Sequence, residues 1–197
     1  DNRADRRRAA EVLSGMGEPA MGSLLVLLKD DDAIVRAYSA RALGSMKSEQ
    51  IVPPLIALLN DGDTYVRRAA AESLGRTRSH QAILPLIEAL EDQTRDMARS
   101  AVRALGQIRH PDVIPVLIKA LQNASWNAAD ASAQALGELG AQEAIGPLIQ
   151  CFEEMPNCPY HLVGGAFWKL NSEQAVDAWI AGLKKGSWWY PRAACAT

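Results

Sequence analysis

The chain has 197 residues, 48% of them hydrophobic, and its 21 basic and 23 acidic side chains leave a net charge of −2. No apolar run approaches the roughly 18 residues of a membrane-spanning helix, and a near-neutral balance provides no overall field toward nucleic acid or anionic lipid. Three scattered cysteines, Cys151, Cys158 and Cys195, do not make a disulfide framework, so reduced thiols in a cytoplasmic, soluble protein are expected, with Cys151 in the core.

Residues 1–29 open with one copy of a pattern that recurs at 30–60, 61–91, 92–122, 123–153 and 154–184, with a partial copy at 185–197. The step is 31 residues: Leu43-Gly44, Leu74-Gly75, Leu105-Gly106 and Leu136-Gly137 form one ladder, and Leu55-Ile56, Leu86-Ile87, Leu117-Ile118 and Leu148-Ile149 a second. Such a period identifies a repeat protein. The first copy is one residue short between its halves, with Leu13 and Leu24 in the two ladders. In the copy at 154–184, Phe167-Trp168 and Trp179-Ile180 overlay the ladder pairs, which reads as a repeat with enlarged core residues.

Each copy predicts two helices. In 61–91, Asp63 or Thr64 is the N-cap, and Val66, Ala69, Ala70, Ser73 and Leu74 recur at helical spacing to form one apolar stripe. Arg76 to His80 form a connector, and Ile83, Leu86, Ile87 and Leu90 give a second stripe, with Pro85 in the first turn where its missing N–H costs little. Neither helix is long enough to stand alone in water, so each must be covered by a neighbouring copy. Small residues at 69–71 and the Gly of each Leu-Gly pair would allow close helix approach. Lys47, Arg78, Arg109, Gly140 and Asn171 stand where the first helix closes; a left-handed backbone there would cost each non-Gly copy roughly 1 kcal/mol.

The run Asp-x-Asp-Thr-Tyr-Val-Arg-Arg-Ala-Ala-Ala-Glu-Ser-Leu-Gly at 61–75, followed by Ala-Ile-Leu-Pro-Leu-Ile-Glu-Ala-Leu at 82–90, resembles the short HEAT-like repeat named after phycobilisome lyases. The resemblance implies an all-α, right-handed α-solenoid (superhelix) of antiparallel helix pairs over 1–197, a single domain of about six HEAT-like repeats plus the start of a seventh, with second helices lining the concave side. It also implies inter-repeat Asp–Arg ion pairs. The Val-Arg pair stands at Val35-Arg36 and Val66-Arg67 but is replaced by Met97-Ala98 and Ala128-Ala129, so this ladder is expected only in the N-terminal half. Deoxyhypusine hydroxylases, a related family, hold iron with His-Glu pairs, and no His-Glu pair occurs here.

The exposed positions of the second helices are the candidate partner-binding rows: Gln50, Gln81, Asp112 and Glu143; then Pro53, Leu84 and Pro115; then Ala57, Glu88, Lys119 and Gln150. Polar to small and slightly acidic, they suit a protein or peptide better than a polyanion. Nine of the eleven aromatic residues follow position 125; Trp126, Tyr160, Trp188 and Trp189 are candidate hot spots, weighed against core filling. Arginines concentrate before residue 110, with Lys47, Arg76, Arg78 and Arg109 along the connector edge, but residues 1–110 carry 16 basic and 15 acidic side chains, which disfavours nucleic acid. His80 and His110 are expected to cap helix ends. Cys158 and His161 offer too few donors for zinc.

The expectation is a non-enzymatic scaffold binding a protein partner on its concave face, with no catalytic residue, metal or cofactor. A bilin lyase or bilin-binding chaperone is the alternative the resemblance implies, a tetrapyrrole then stacking on the aromatic cluster, and a nucleic-acid-binding helical repeat is a lesser one. The start at Asp1 reads as an excised or processed segment, and the incomplete last copy as either a longer native chain or self-association through that edge.

Overall fold

The computed structural model describes residues 15–46, 48–91, 95–123, 126–154 and 160–170, with the single positions 5, 8, 12, 13, 173, 176, 177 and 180. The chain divides into two compact units, Asp1–His110 and Pro111–Thr197. All regular structure among the described residues is helical.

In the first unit, α1 (Met21–Leu27), α3 (Val52–Ala57) and α5 (Ile83–Glu88) are second helices, and α2 (Ala33–Leu43), α4 (Thr64–Thr77) and α6 (Arg95–Ile108) are first helices. The second unit holds α7 (Val113–Asn123) and α9 (Ile145–Glu154) as second helices and α8 (Trp126–Leu139) and α10 (Tyr160–Leu170) as first helices. The division therefore falls inside the copy at 92–122, between its two helices.

The first helices α2 and α4 begin at an aspartate: the Asp32 carboxylate accepts from the Ile34 amide at 2.9 Å, and that of Asp63 from the Tyr65 amide at 2.7 Å. Asp63, not Thr64, is thus the N-cap, satisfying an amide that the helix leaves unpaired. The second helices are more broken than their apolar stripes suggest. Only six residues of α3 and six of α5 are α-helical, and 3₁₀ turns flank both at Glu49–Ile51, Leu58–Asn60, His80–Ala82 and Ala89–Glu91. In α3, Pro53 and Pro54 stand near the start, where proline fits only because the preceding backbone needs no i→i−4 bond from it.

Both ladders are buried. Leu24, Leu55, Leu86, Leu117 and Leu148 in the second helices, and Leu43, Leu74, Leu105 and Leu136 in the first, have 0% exposure; each contributes about 1.5–3 kcal/mol of apolar burial. Cys151 is buried as expected. Trp168 is not a core residue: it is 84% exposed beside a buried Phe167, and Ile180 is also exposed.

Neighbouring copies approach closely at the Gly positions. Within each unit, a first helix packs on the first helix of the next copy, α2 on α4, α4 on α6 and α8 on α10. A Cβ added at Gly44 would stand 2.7 Å from the Ser73 Cα, at Gly75 2.8 Å from the Ala104 Cα, and at Gly137 2.7 Å from the Ala166 Cα. The backbone met lies 29 positions on in each case and belongs to Ser or Ala; at Gly75 the Gln107 side-chain oxygen comes closer still, at 2.5 Å. Trp168 overlays these glycines, and its side chain is exposed.

The Asp–Arg ladder is present where the pattern is intact. Arg36 grips Asp61 of the next copy with Nε to Oδ2 at 2.8 Å and Nη2 to Oδ1 at 2.9 Å, and donates to the Asp30 carbonyl at 2.7 Å. Arg67 repeats the local part, donating to the Asp61 carbonyl at 2.8 Å; its equivalent acidic partner, Asp92, lies outside the described residues. Partial burial pushes the Asp61 carboxyl up, but the hydrogen bonds from Arg36 and the Asp63 amide, with the charges of Arg36 and Arg67, outweigh it and hold the group below the usual carboxylate range. The hydrogen bond to Asp61 raises Arg36 in turn. Arg41 adds a second cross-copy contact, 2.5 Å to the Tyr65 hydroxyl and 3.5 Å to Glu72.

The helix-closing positions behave as their place in the repeat predicts. Arg78 (φ 54°), Arg109 (φ 57°) and Gly140 (φ 69°) all adopt the left-handed conformation, while Lys47 and Asn171 lie outside the described residues.

Three outcomes follow from this packing. Gly137→Ala should lower stability by about 1–3 kcal/mol, since the added methyl meets backbone, read as a shift in the urea midpoint. Arg78→Gly and Arg109→Gly should each raise stability by about 0.5–1 kcal/mol, the relief of a left-handed non-Gly residue less the entropy of Gly. Asp61→Asn should cost about 1–3 kcal/mol at neutral pH. Because the folded-state pKa of Asp61 is depressed, its contribution is full above the unfolded value of about 3.9 and disappears as pH falls through the folded value. The difference between wild type and Asp61→Asn should therefore close in acid-titrated denaturation curves below about pH 4.

Candidate functional site

With one face of each second helix committed to the core, the opposite face is left to solvent. In the first unit, Gln50, Pro53 and Ala57 stand along the 3₁₀ turn and α3, and Gln81, Leu84 and Glu88 along the next turn and α5; all six are exposed, Leu84 at 70%. An unsupported leucine at that exposure has no role in holding the core. In the second unit, Asp112, Pro115 and Lys119 lie before and along α7, and Glu143 and Gln150 before and along α9, again all exposed. The Gln122 amide donates to Gln150 at 3.4 Å across the two helices.

Between α3 and α5 the exposed face sinks into an open groove of about 250 Å³ lined by Ile56, Leu59, Asn60, Pro85, Glu88 and Ala89. The Ile of the Leu-Ile pair forms part of this wall. Ile56, Ile87, Ile118 and Ile149 are half-buried rather than buried, so the second ladder has a leucine that serves the core and an isoleucine that reaches toward the surface. The row through Ala57 and Glu88 also extends back to Val26 on α1, which is 72% exposed. The one-residue deficit in the first copy hides Val26 from a fixed-period overlay, but alignment on Leu24 recovers it.

Of the aromatic candidates, Trp126 and Tyr160 are the first residues of α8 and α10, whereas Trp188 and Trp189 lie outside the described residues. The exposed aromatic that the overlay assigned to the core is Trp168. His80 and His110 meet each other, their rings 4.2 Å apart between centroids and inclined at 61°, an edge-to-face contact along the connector edge of the first unit. Arg76, Arg78 and Arg109 are exposed on the same edge. Among the described residues, no group of three or more His, Cys, Asp or Glu side chains is placed to hold a metal ion, and no helix is long and apolar enough to cross a membrane.

What this face offers is recognition chemistry: small and apolar side chains at a regular spacing, a groove where the Glu88 carboxylate and the Asn60 amide stand beside Ile56, Leu59 and Pro85, and rims of amides. Comparison with known proteins agrees with the architecture. In sequence, no curated protein matches the chain. Among solved structures, the complex of CpcE and CpcF of phycocyanin lyase from Nostoc sp. PCC7120 is similar at 21% identity, with 94% of this chain and 90% of that chain covered and a TM-score of 0.47. An engineered protein is similar at 20% identity, covering 85% of this chain and 86% of its own, with a TM-score of 0.55. A designed armadillo repeat protein in complex with the peptide (KR)4 is similar at 18% identity, covering 84% and 91%, with a TM-score of 0.55. The latter two likenesses are of fold, that of an all-α solenoid. The family described as HEAT repeats matches residues 23–102 and 83–157, and with more than half of its length so matched, the chain belongs to the HEAT repeat family.

Proposed function

We propose that this HEAT-repeat chain is a scaffold without catalytic activity that binds a protein or peptide partner through the exposed face of its second helices. One observation carries the reading. Positions 55, 86, 117 and 148 keep the same residue and are fully buried, while positions two residues further on in the same helices read Ala57, Glu88, Lys119 and Gln150 and are all exposed. A solvated face with no ligand would accept one repeated polar residue as well as four different ones. Variation on an invariant frame is how stacked repeats encode a particular ligand.

The designed armadillo repeat protein of similar fold was solved in complex with a peptide. The groove beside Leu84 gives such a partner an anchoring place, since buried apolar anchors supply most of the binding energy at protein interfaces.

Affinity capture from the source organism tests this. Leu84→Asp, and separately the double charge reversal Glu88→Lys with Lys119→Glu, should weaken retention of captured protein by about tenfold or more. Tyr38→Ser, on the first-helix side, should leave it unchanged. A captured set indifferent to both second-helix variants would remove this face from the account.

A further inference from the structure

Charge in the first unit is sorted by helix layer. The first helices α2, α4 and α6 carry Arg36, Arg41, Arg67, Arg68, Arg76, Arg95, Arg99 and Arg103. The equivalent second-helix spans 18–29, 49–60 and 80–91 contain a single Lys or Arg, the exposed Lys29 at the end of the first, against the carboxylates Glu18, Glu49, Glu88 and Glu91. Four of these arginines are occupied by structure: Arg36 on Asp61, Arg41 on Tyr65 and Glu72, Arg67 on the Asp61 carbonyl, Arg68 on Asp96. Glu88 has no such duty. It is exposed, no described cation pairs with it, and it forms one wall of the groove whose other walls are Ile56, Leu59 and Pro85.

The same face carries exposed apolar side chains in each copy, Val26, Pro53, Ala57 and Leu84, among its polar ones. An anionic segment laid along α3 and α5 would meet carboxylates and no cation of those helices; a wholly polar one would leave Leu84 and the groove unfilled. We infer that the second-helix face of the first unit takes a segment of a partner protein that combines cationic with apolar side chains, an apolar residue entering the Ile56–Pro85 groove and a neighbouring Lys or Arg meeting Glu88. The inference rests on the protein-binding reading above and assigns the chemistry of its ligand. Arg76, Arg78 and Arg109, exposed on the connector edge, repel the same cation and confine the segment to the helices. Glu49 lies on the accepting side as well, its carboxylate 3.2 Å from the Ser79 hydroxyl.

Fluorescence anisotropy of the full chain with labelled octapeptides of alternating sequence, (KL)4, (KS)4 and (EL)4, tests the assignment. The (KL)4 peptide should bind, and the other two about tenfold or more weakly. Glu88→Lys should weaken (KL)4 about fivefold and Leu84→Ser by a similar factor, and raising salt should weaken it further. Both residues are exposed, so unchanged helical circular dichroism will show that the variants remain folded. Binding of (EL)4 as tight as that of (KL)4, or (KL)4 binding indifferent to Glu88→Lys, overturns the inference. If (EL)4 binds and Leu84→Ser weakens it, the charge assignment falls while the protein-binding reading stands. Should no peptide respond to either substitution, both fall together.

Discussion

The contact on which the rest of the structure depends is the approach of each first helix to the next across a glycine. At Gly44, Gly75 and Gly137 there is no room for a Cβ, because the backbone of Ser73, Ala104 or Ala166 occupies that space. Bare backbone against a small side chain brings two helices closer than ridge-into-groove packing of larger residues would allow. That distance sets the spacing of copies within each unit. The capping aspartates, the Arg36–Asp61 clamp and the two leucine ladders all work at that fixed spacing.

A division of labour between the helix layers follows from it. The first helices run up to fourteen residues, carry most of the arginines, and spend those arginines on the next copy or on their own N-termini. The second helices α3 and α5 are shorter, bracketed by 3₁₀ turns, and carry proline in their first turn. Their outward positions make few bonds to the rest of the chain and are free to differ from copy to copy. A layer that holds register and a layer that presents chemistry are the two requirements of a recognition scaffold, and stacking repeats meets both with one short pattern.

Much of this was legible in the amino-acid sequence because the 31-residue period repeats the same physical problem in every copy. The Leu ladders, the tight Gly positions, the Asp–Arg rung at Arg36 and the left-handed closure at Arg78 and Arg109 are each answers to a local requirement that a single copy already states. Features that depend on what lies beside a residue were harder to see. Ile56 looks like core by spacing, yet it sits at the rim and walls a groove. Trp168 overlays a glycine, and its place in the ladder implies enlarged core, yet the indole is exposed. His80 and His110 are 30 residues apart, one short of the period; that slip conceals a ring contact which only the folded connectors create. Val26 escaped for a similar reason, the short first copy breaking the arithmetic.

Glycine-spaced stacking makes neighbouring first helices one cooperative element, and amide hydrogen exchange of Gly75→Ala against wild type examines that coupling most directly. The account predicts faster exchange in Thr64–Thr77 and in Arg95–Ile108 together, since the added methyl meets Ala104 and opens both sides of the contact, with Trp126–Leu139 unaffected. Acceleration confined to Thr64–Thr77, or spread evenly over every helix, would contradict it.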